Sequence, residues 1–220
     1  IEDIGFPKPV LDDIVGPECR LIQTKEIKNI IYKVPTNTYK QDRGKVLIIA
    51  GSIGMTGAAV LSTYGALRTG SGVTLTACPK SLSNIFEKYI LEGITFACDD
   101  ADKGYLSINN YDELMEKVEW ADSLLIGPGL GLQDETIELV TKLINNTNKS
   151  IVLDADGLTC FGDLRGSLGN LVITPHLGEF SKIINMEKSI IINNFIQILT
   201  DFMGSFDGVA LIKHVPTCIA

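Results

Sequence analysis

The chain has 220 residues, 45% of them hydrophobic, enough to bury one sizeable core. A formal net charge of −8 with scattered lysines offers no basic face for a nucleic-acid backbone, and no apolar run approaches the roughly 20 residues of a membrane span. The five cysteines (Cys19, Cys78, Cys98, Cys160, Cys218) are widely spaced without a C-x-x-C pair, which argues against a disulfide framework or a zinc site and fits a reducing cytoplasm.

Residues 1–43 hold four of the eight prolines and lack a strong hydrophobic period, so they read as a lead-in or linker. The first residue is Ile1 rather than Met, as expected of a segment that starts inside a longer reading frame. From Gly44 onward, short apolar runs alternate with amphipathic segments. Strands are predicted at 46–50, 73–77, 123–126, 151–153, 171–174 and 209–212, and those of Val, Ile and Leu without polar alternation suit burial on both faces. Helices are predicted at 57–68, 81–89, 111–118, 135–144, 179–184 and 190–202. This alternation implies an α/β fold with a mostly parallel sheet and right-handed crossovers.

Ligands in such sheets gather at the carboxyl ends of the strands, so the residues that follow each strand carry the candidate chemistry. After the first comes GSIGMTG, with Gly51, Gly54 and Gly57. It is neither a G-x-G-x-x-G fingerprint nor a Walker loop, which would close on Gly-Lys-Ser/Thr. Its glycines would let backbone N–H groups approach a ligand beside a helix start that favours negative charge; a tight strand-to-helix turn is the alternative. LLIGPGLG repeats the arrangement, with Gly127, Gly129 and Gly131 ahead of a helix expected to be capped by Asp134. Two such loops favour ligand contact, since a turn alone needs one glycine.

In IVLDADGL, Asp154 and Asp156 are two apart and expected on one face of a strand end. There they would hold Mg2+, accept hydroxyl hydrogen bonds, or cap nearby N–H groups. VITPHLGEF puts His176 just past a strand and Glu179 in the first turn of a helix; one of only two histidines at that place points to substrate contact rather than core filling. LIKHVPT holds the other, His214, beside Lys213, which either faces a phosphate or ends a strand in solvent.

Taken in order, GKVLIIAGSIGMTGAAVLSTYGALRTGSGVTLTA, ADSLLIGPGLG, VLDADGLT, VITPHLGEF and LIKHVPTCIA resemble the ADP/ATP-dependent NAD(P)H-hydrate dehydratases, from about Gly44 to Ala220. The resemblance implies a ribokinase-like three-layer αβα fold, with helices on both faces of the sheet. It also implies a repair reaction: ADP, or ATP in eukaryotes, phosphorylates the C6 hydroxyl of hydrated NADH or NADPH, and elimination of phosphate regenerates the dinucleotide. On the same ground Gly57, Ala58, Gly129, Gly131 and His176 would contact the hydrated dinucleotide, while Lys213, His214, Val215, Pro216 and Thr217 would contact ADP. Mg2+ would accompany the nucleotide, with Asp154 and Asp156 as candidate ligands.

The chain departs from the family at His214, which stands where a K-G-x-x-T motif has Gly; its ring would crowd an approaching phosphate. The opening IEDIGFPKPVLDD resembles the closing strand and linker of the NAD(P)H-hydrate epimerase domain of bifunctional bacterial proteins. The family's G-[ST]-G-D motif, which carries the anion hole and the general base, is expected beyond Ala220. The dehydratase domain, 44–220, is therefore expected to be C-terminally incomplete, and no catalytic residue is assigned within it. A cytoplasmic homo-oligomer without nucleic-acid or membrane partners is expected. A ribokinase-like vitamin or sugar kinase is one alternative, marked by a phosphorylated product that accumulates; a non-catalytic nucleotide-binding remnant is another, marked by binding without turnover.

Overall fold

Runs of Val, Ile and Leu that leave no polar face can only be satisfied in a sheet covered on both sides. The computed structural model describes residues 20–31 and 33–220, so the stretch likened to an epimerase strand, and Cys19, lie outside the described residues. The chain divides into two units, Ile1–Asn37 and Thr38–Ala220. In the first, helix α1 (Thr24–Ile30) has no buried residue. Its start is held locally, by the Gln23 N–H donating to Glu26 Oε2 at 2.7 Å and by an Arg20–Glu26 ion pair at 3.2 Å.

The second unit contains, among the described residues, one eight-stranded sheet. Its strands are β1 (Lys45–Ile49), β2 (Val73–Pro79), β3 (Ile94–Cys98), β4 (Ser123–Ile126), β5 (Ser150–Leu153), β6 (Leu171–Ile173), β7 (Val209–Ile212) and β8 (Cys218–Ile219). They lie in the order β3-β2-β1-β4-β5-β6-β7-β8, parallel throughout except for the antiparallel β7–β8 pair. All six predicted strands are present. Two further strands were not predicted. β3 is an edge strand with Ile94 and Ala97 exposed, and β8 is a two-residue pairing extended by reciprocal Ala210–Ala220 backbone bonds of 2.9 Å.

The helices are α2 (Thr56–Thr69), α3 (Ser83–Tyr89), α4 (Tyr111–Trp120), α5 (Asp134–Asn145), α6 (Leu177–Ile183), α7 (Lys188–Asn193) and α8 (Phe195–Met203). α5 shows why these segments are helical: Thr136, Leu139, Val140, Leu143 and Ile144 repeat at helical spacing and all are buried. The single helix predicted over 190–202 is instead two, because Asn194 leaves helical geometry (φ −131°, ψ 32°) and turns its side-chain amide onto the Ile190 carbonyl. The segment predicted over 81–89 opens with a 3-10 turn, Lys80–Leu82, before α3 begins.

Alternate residues of β1 feed two cores. Leu47 and Ile49 join Leu114, Leu139 and Phe180 on the face covered by α4, α5 and α6, whereas Ile48 packs with Ala59 and Phe86 of α2 and α3 on the other. Each such Leu or Ile, wholly removed from water, contributes about 1.5–3 kcal/mol. The result is the three-layer α/β arrangement with helices on both faces. From β1 the chain moves outward to β2 and β3, then returns to place β4 on the other side of β1, which makes the carboxyl ends of β1 and β4 the point where the winding reverses. No helix among the described residues is long and apolar enough to cross a membrane.

Candidate functional site

At that reversal the two glycine loops interlock. The Gly51 N–H donates to the Pro128 carbonyl at 2.9 Å, the Ser52 hydroxyl to the Gly129 carbonyl at 2.9 Å, and the Gly127 N–H to the Ile49 carbonyl at 3.1 Å. Gly129 adopts φ +66°, and a Cβ there would stand 2.9 Å from both Met55 Cβ and Ala58 Cβ. Gly129 is thus buried beneath the start of α2, where any side chain would meet protein. Gly131 is also buried, and its N–H is already taken by Asp156 Oδ2 at 2.9 Å.

Gly57 behaves differently. It is exposed, and nothing lies within 4 Å of where its Cβ would be. The α2 terminus that carries it begins at Met55, whose side chain makes no cap, and has no acidic residue in its first turn. Its free N–H groups and the dipole of a 14-residue helix leave a place suited to an anion, at the crevice where sheets of this topology hold ligands. The helix after the second loop is capped otherwise than expected: Gln133, not Asp134, is its N-cap residue, and Asp134 and Glu135 fill its first turn.

A residue missed in the sequence supports the first loop from below. Asp100 is buried and accepts hydrogen bonds from the Ser81 N–H (3.0 Å), the Ser81 hydroxyl and the Gly104 N–H (2.7 Å), while the Gly104 carbonyl accepts the Ile53 N–H at 2.7 Å. Burial pushes the Asp100 carboxyl up, but these bonds outweigh it and hold the group below the usual aspartate range. Recognition of β3 would have marked Asp99 and Asp100 as residues after a strand.

Asp154 and Asp156 do not share a face. β5 ends at Leu153 and Ala155 turns with φ +50°, so the two-residue alternation of a strand stops before it reaches the pair. Asp154 Oδ1 receives Lys213 Nζ at 2.7 Å; Asp156 serves Gly131. Among the described residues no three His, Cys, Asp or Glu side chains converge as a metal site. With an ammonium already against Asp154, these residues do not fit a resident Mg2+.

His176 is the N-cap of α6. Its Nδ1 accepts from the Gly178 N–H (2.9 Å) and the Glu179 N–H (3.1 Å), and its own backbone N–H donates to Glu179 Oε2 (2.8 Å). An accepting Nδ1 places the ring proton on Nε2, 3.5 Å from Glu179 Oε1, with the side chain 59% exposed. The neighbouring backbone is tied to β7, where the Lys213 N–H donates to the Pro175 carbonyl at 2.8 Å. Lys213, His214, Val215, Pro216 and Thr217 form the hairpin tip between β7 and β8, with the Thr217 hydroxyl on the His214 carbonyl at 3.2 Å. The His214 ring packs against Phe195 with centroids 5.6 Å apart. Thus Gly57, Ala58, His176 and Lys213 all follow carboxyl ends of parallel strands, on one edge of the sheet. Past His176 that edge opens into a cleft of about 670 Å³ bounded by residues 155–162 and by α6 and Lys188.

Comparison with known proteins follows this geometry. The profile of the NAD(P)H-hydrate dehydratase family matches residues 46–220. The chain is 32% identical over 214 residues to the bifunctional NAD(P)H-hydrate repair enzyme Nnr of Dictyoglomus turgidum, covering 96% of this chain and 41% of that protein. To the corresponding protein of Moorella thermoacetica it is 30% identical, covering 100% and 42%. The chain thus spans about two fifths of the length of these curated relatives. In structure it resembles a ribokinase-like protein of Enterococcus faecalis, with TM-score 0.72 and 21% identity over 90% of this chain and 67% of that one. It also resembles an ADP/ATP-dependent NAD(P)H-hydrate dehydratase of Bacillus subtilis, with TM-score 0.69 and 20% identity over 89% and 67%. The structural likenesses establish a ribokinase-like fold, and the profile match over most of the sequence establishes kinship: the chain belongs to the NAD(P)H-hydrate dehydratase family.

Proposed function

We propose that residues 44–220 form the nucleotide-dependent dehydratase part of a nicotinamide-nucleotide repair enzyme, which converts hydrated NADH or NADPH back to the reduced dinucleotide at the expense of ADP or ATP. The observation that supports it is the junction of the two glycine loops under the uncapped start of α2, which offers the Thr56 and Gly57 N–H groups to a ligand bearing pyrophosphate, while the Ala58 N–H is bonded to the Met55 carbonyl. In an acidic chain, backbone N–H groups and helix ends carry much of the recognition of such a ligand.

In this reading Gly57 and Ala58 face the dinucleotide, Gly129 and Gly131 shape the floor beneath it, and His176 donates from Nε2. Lys213, at the tip of the β7–β8 hairpin, supplies the positive charge for the phosphates of the adenine nucleotide, with His214, Val215, Pro216 and Thr217 around it. A phosphoryl group passes from ADP, leaving AMP, or from ATP, leaving ADP, to the C6 hydroxyl, which loses its proton; departure of phosphate from C6 together with a proton from the neighbouring ring carbon restores the ring double bond. Magnesium would accompany the nucleotide's phosphates; the Bacillus subtilis protein was co-crystallised with ATP and Mg2+.

The test is to incubate the full-length protein that carries this domain with hydrated NADH or NADPH and ADP or ATP and follow reduced-nicotinamide absorbance and phosphate release. One phosphate released per dinucleotide restored is the expected result. A phosphorylated dinucleotide that accumulates points instead to a kinase, and the absence of both nucleotide and dinucleotide binding by calorimetry overturns the reading.

A further inference from the structure

The cleft beyond His176 carries a group of side chains that the loops and the hairpin tip do not use. Lys182, at the end of α6, and Lys188, at the start of α7, line it together with His176 and Gly178. A Cβ built on Gly178 would lie 3.0 Å from Lys188 Nζ and 2.8 Å from His176 Cε1, so the ammonium and the imidazole flank the same missing side chain. The head of Lys188 is thus folded back over the turn that opens α6.

No carboxylate accounts for that position. Among the described residues neither Lys182 nor Lys188 takes part in an ion pair. Of the carboxylates on the cleft wall, Asp156 accepts the Gly131 N–H, while Glu179 accepts the His176 N–H and stands 3.5 Å from His176 Nε2 and 4.0 Å from Lys213. Glu187, the N-cap of α7, forms no side-chain bond to that helix. In a chain of net charge −8, two ammonium groups outside any ion pair on one cavity wall, beside the His176 imidazole that Glu179 orients at 3.5 Å, are an arrangement suited to an anion with several acceptor oxygens.

We infer that this cleft is a phosphate-binding subsite for the dinucleotide, with Lys188 its main contact and Lys182 and His176 Nε2 supporting donors; the inference rests on the dinucleotide reading of the site. The absence of a side chain at Gly178 is what lets the Lys188 ammonium close over the turn beside the His176 ring, on the wall of the cleft. That phosphate is either the 2′-phosphate, which NADPH alone carries, or the pyrophosphate common to both dinucleotides. In the first case Lys188 sets the preference between the two substrates.

Calorimetric titration of the wild-type protein, Lys188→Gln and Lys182→Gln with NADPH, NADH and inorganic pyrophosphate tests this. Loss of a charge-assisted bond predicts about tenfold weaker binding in Lys188→Gln, a smaller loss in Lys182→Gln, and a shallower salt dependence in both variants than in the wild type. Weakening for NADPH alone assigns the 2′-phosphate, and equal weakening for both dinucleotides assigns the pyrophosphate; either supports the subsite. Lys188→Gln binding all three probes as the wild type does overturns it. Lys188-dependent binding of pyrophosphate with no binding of either dinucleotide leaves the subsite standing and overturns the dinucleotide reading, whereas a wild-type protein that binds none of the three overturns both.

Discussion

Lys213 Nζ lies 2.7 Å from Asp154 Oδ1, which ties the hairpin tip after β7 to the turn after β5, 59 residues earlier in the chain. Both side chains are partly exposed, at 41% and 27%, so solvent screens the pair and its share of folding stability is below about 1 kcal/mol. Its significance is directional: it fixes where a cation stands at the edge of the sheet. Lys213→Ala is expected to weaken ADP and ATP binding by about tenfold while the urea midpoint barely moves. Nucleotide binding unchanged by calorimetry would remove Lys213 from the site.

Gly129 and Gly57 separate scaffold from ligand surface. Gly129→Val places a branched side chain at φ +66° against Met55 and Ala58 and is expected to cost roughly 2–4 kcal/mol, read as a lowered denaturation midpoint. Gly57→Ala enters open space and should leave stability within about 1 kcal/mol. Its effect belongs to dinucleotide affinity, and a weaker Kd with an unchanged midpoint is the expected pair of readings.

His176 has two jobs that substitution can divide. Removing the cap in His176→Ala is expected to cost about 1 kcal/mol. His176→Asn restores an acceptor for the Gly178 and Glu179 N–H groups but has no counterpart to Nε2. Stability recovered in Asn without recovered dinucleotide affinity is the outcome expected of a ring that both caps and binds. Recovery of both would reduce His176 to a cap.

Asp100 should make the molecule acid-sensitive. Its carboxyl is held below the ordinary aspartate value near about 3.9, so it contributes stability above that pH and loses the contribution as pH falls through the lower, native value. Asp100→Asn is expected to lower Tm by a few degrees at neutral pH. The gap to wild type should narrow in acid, and a gap constant from neutral pH to strongly acidic conditions would contradict the charged role.

Among the thiols, burial pushes Cys78 up to about 12, with the Glu87 and Asp100 charges adding to it, and pushes Cys160 up to about 12. Cys98 is raised further, again chiefly by burial. A thiolate is the reactive form. Native protein treated briefly with iodoacetamide should therefore show none of the three alkylated by mass spectrometry, and all three after unfolding.

The architecture was legible because the central strands are simple in composition: Val46 to Ile49 and Ser123 to Ile126 have only one environment that suits them, between two helical layers. β3 escaped because ITFAC sits at an edge and mixes exposed with buried positions, and β8 because its two residues are strand only through their partner β7. The loops were recognisable as glycine-rich, but glycine's reason was not. Composition cannot tell a residue kept small for a ligand from one kept small for a neighbouring turn, and at Gly129 the contacts with Met55 and Ala58 alone require the missing side chain. Asp154 and Asp156 misled because alternation was carried three residues past the strand's end at Leu153, where the positive φ of Ala155 cancels it. The Lys188–Gly178–His176 arrangement joins two helices across a turn, a juxtaposition that sequence spacing does not encode.

Gly127 has the tightest setting in the site: a Cβ there would lie 1.8 Å from the Asp154 carbonyl oxygen and 2.8 Å from the Gly157 nitrogen. The turn after β4 and the turn after β5 are thus pressed backbone to backbone, with no side chain between them to adjust. Neither can be lengthened, shortened or re-aimed alone. Divergence in ligand preference must then come from residues outside this joint, such as the exposed Gly57 and the cleft residues Leu132, Lys182 and Lys188, and a library built to shift specificity should randomise those while leaving Gly51, Gly127 and Gly157 untouched.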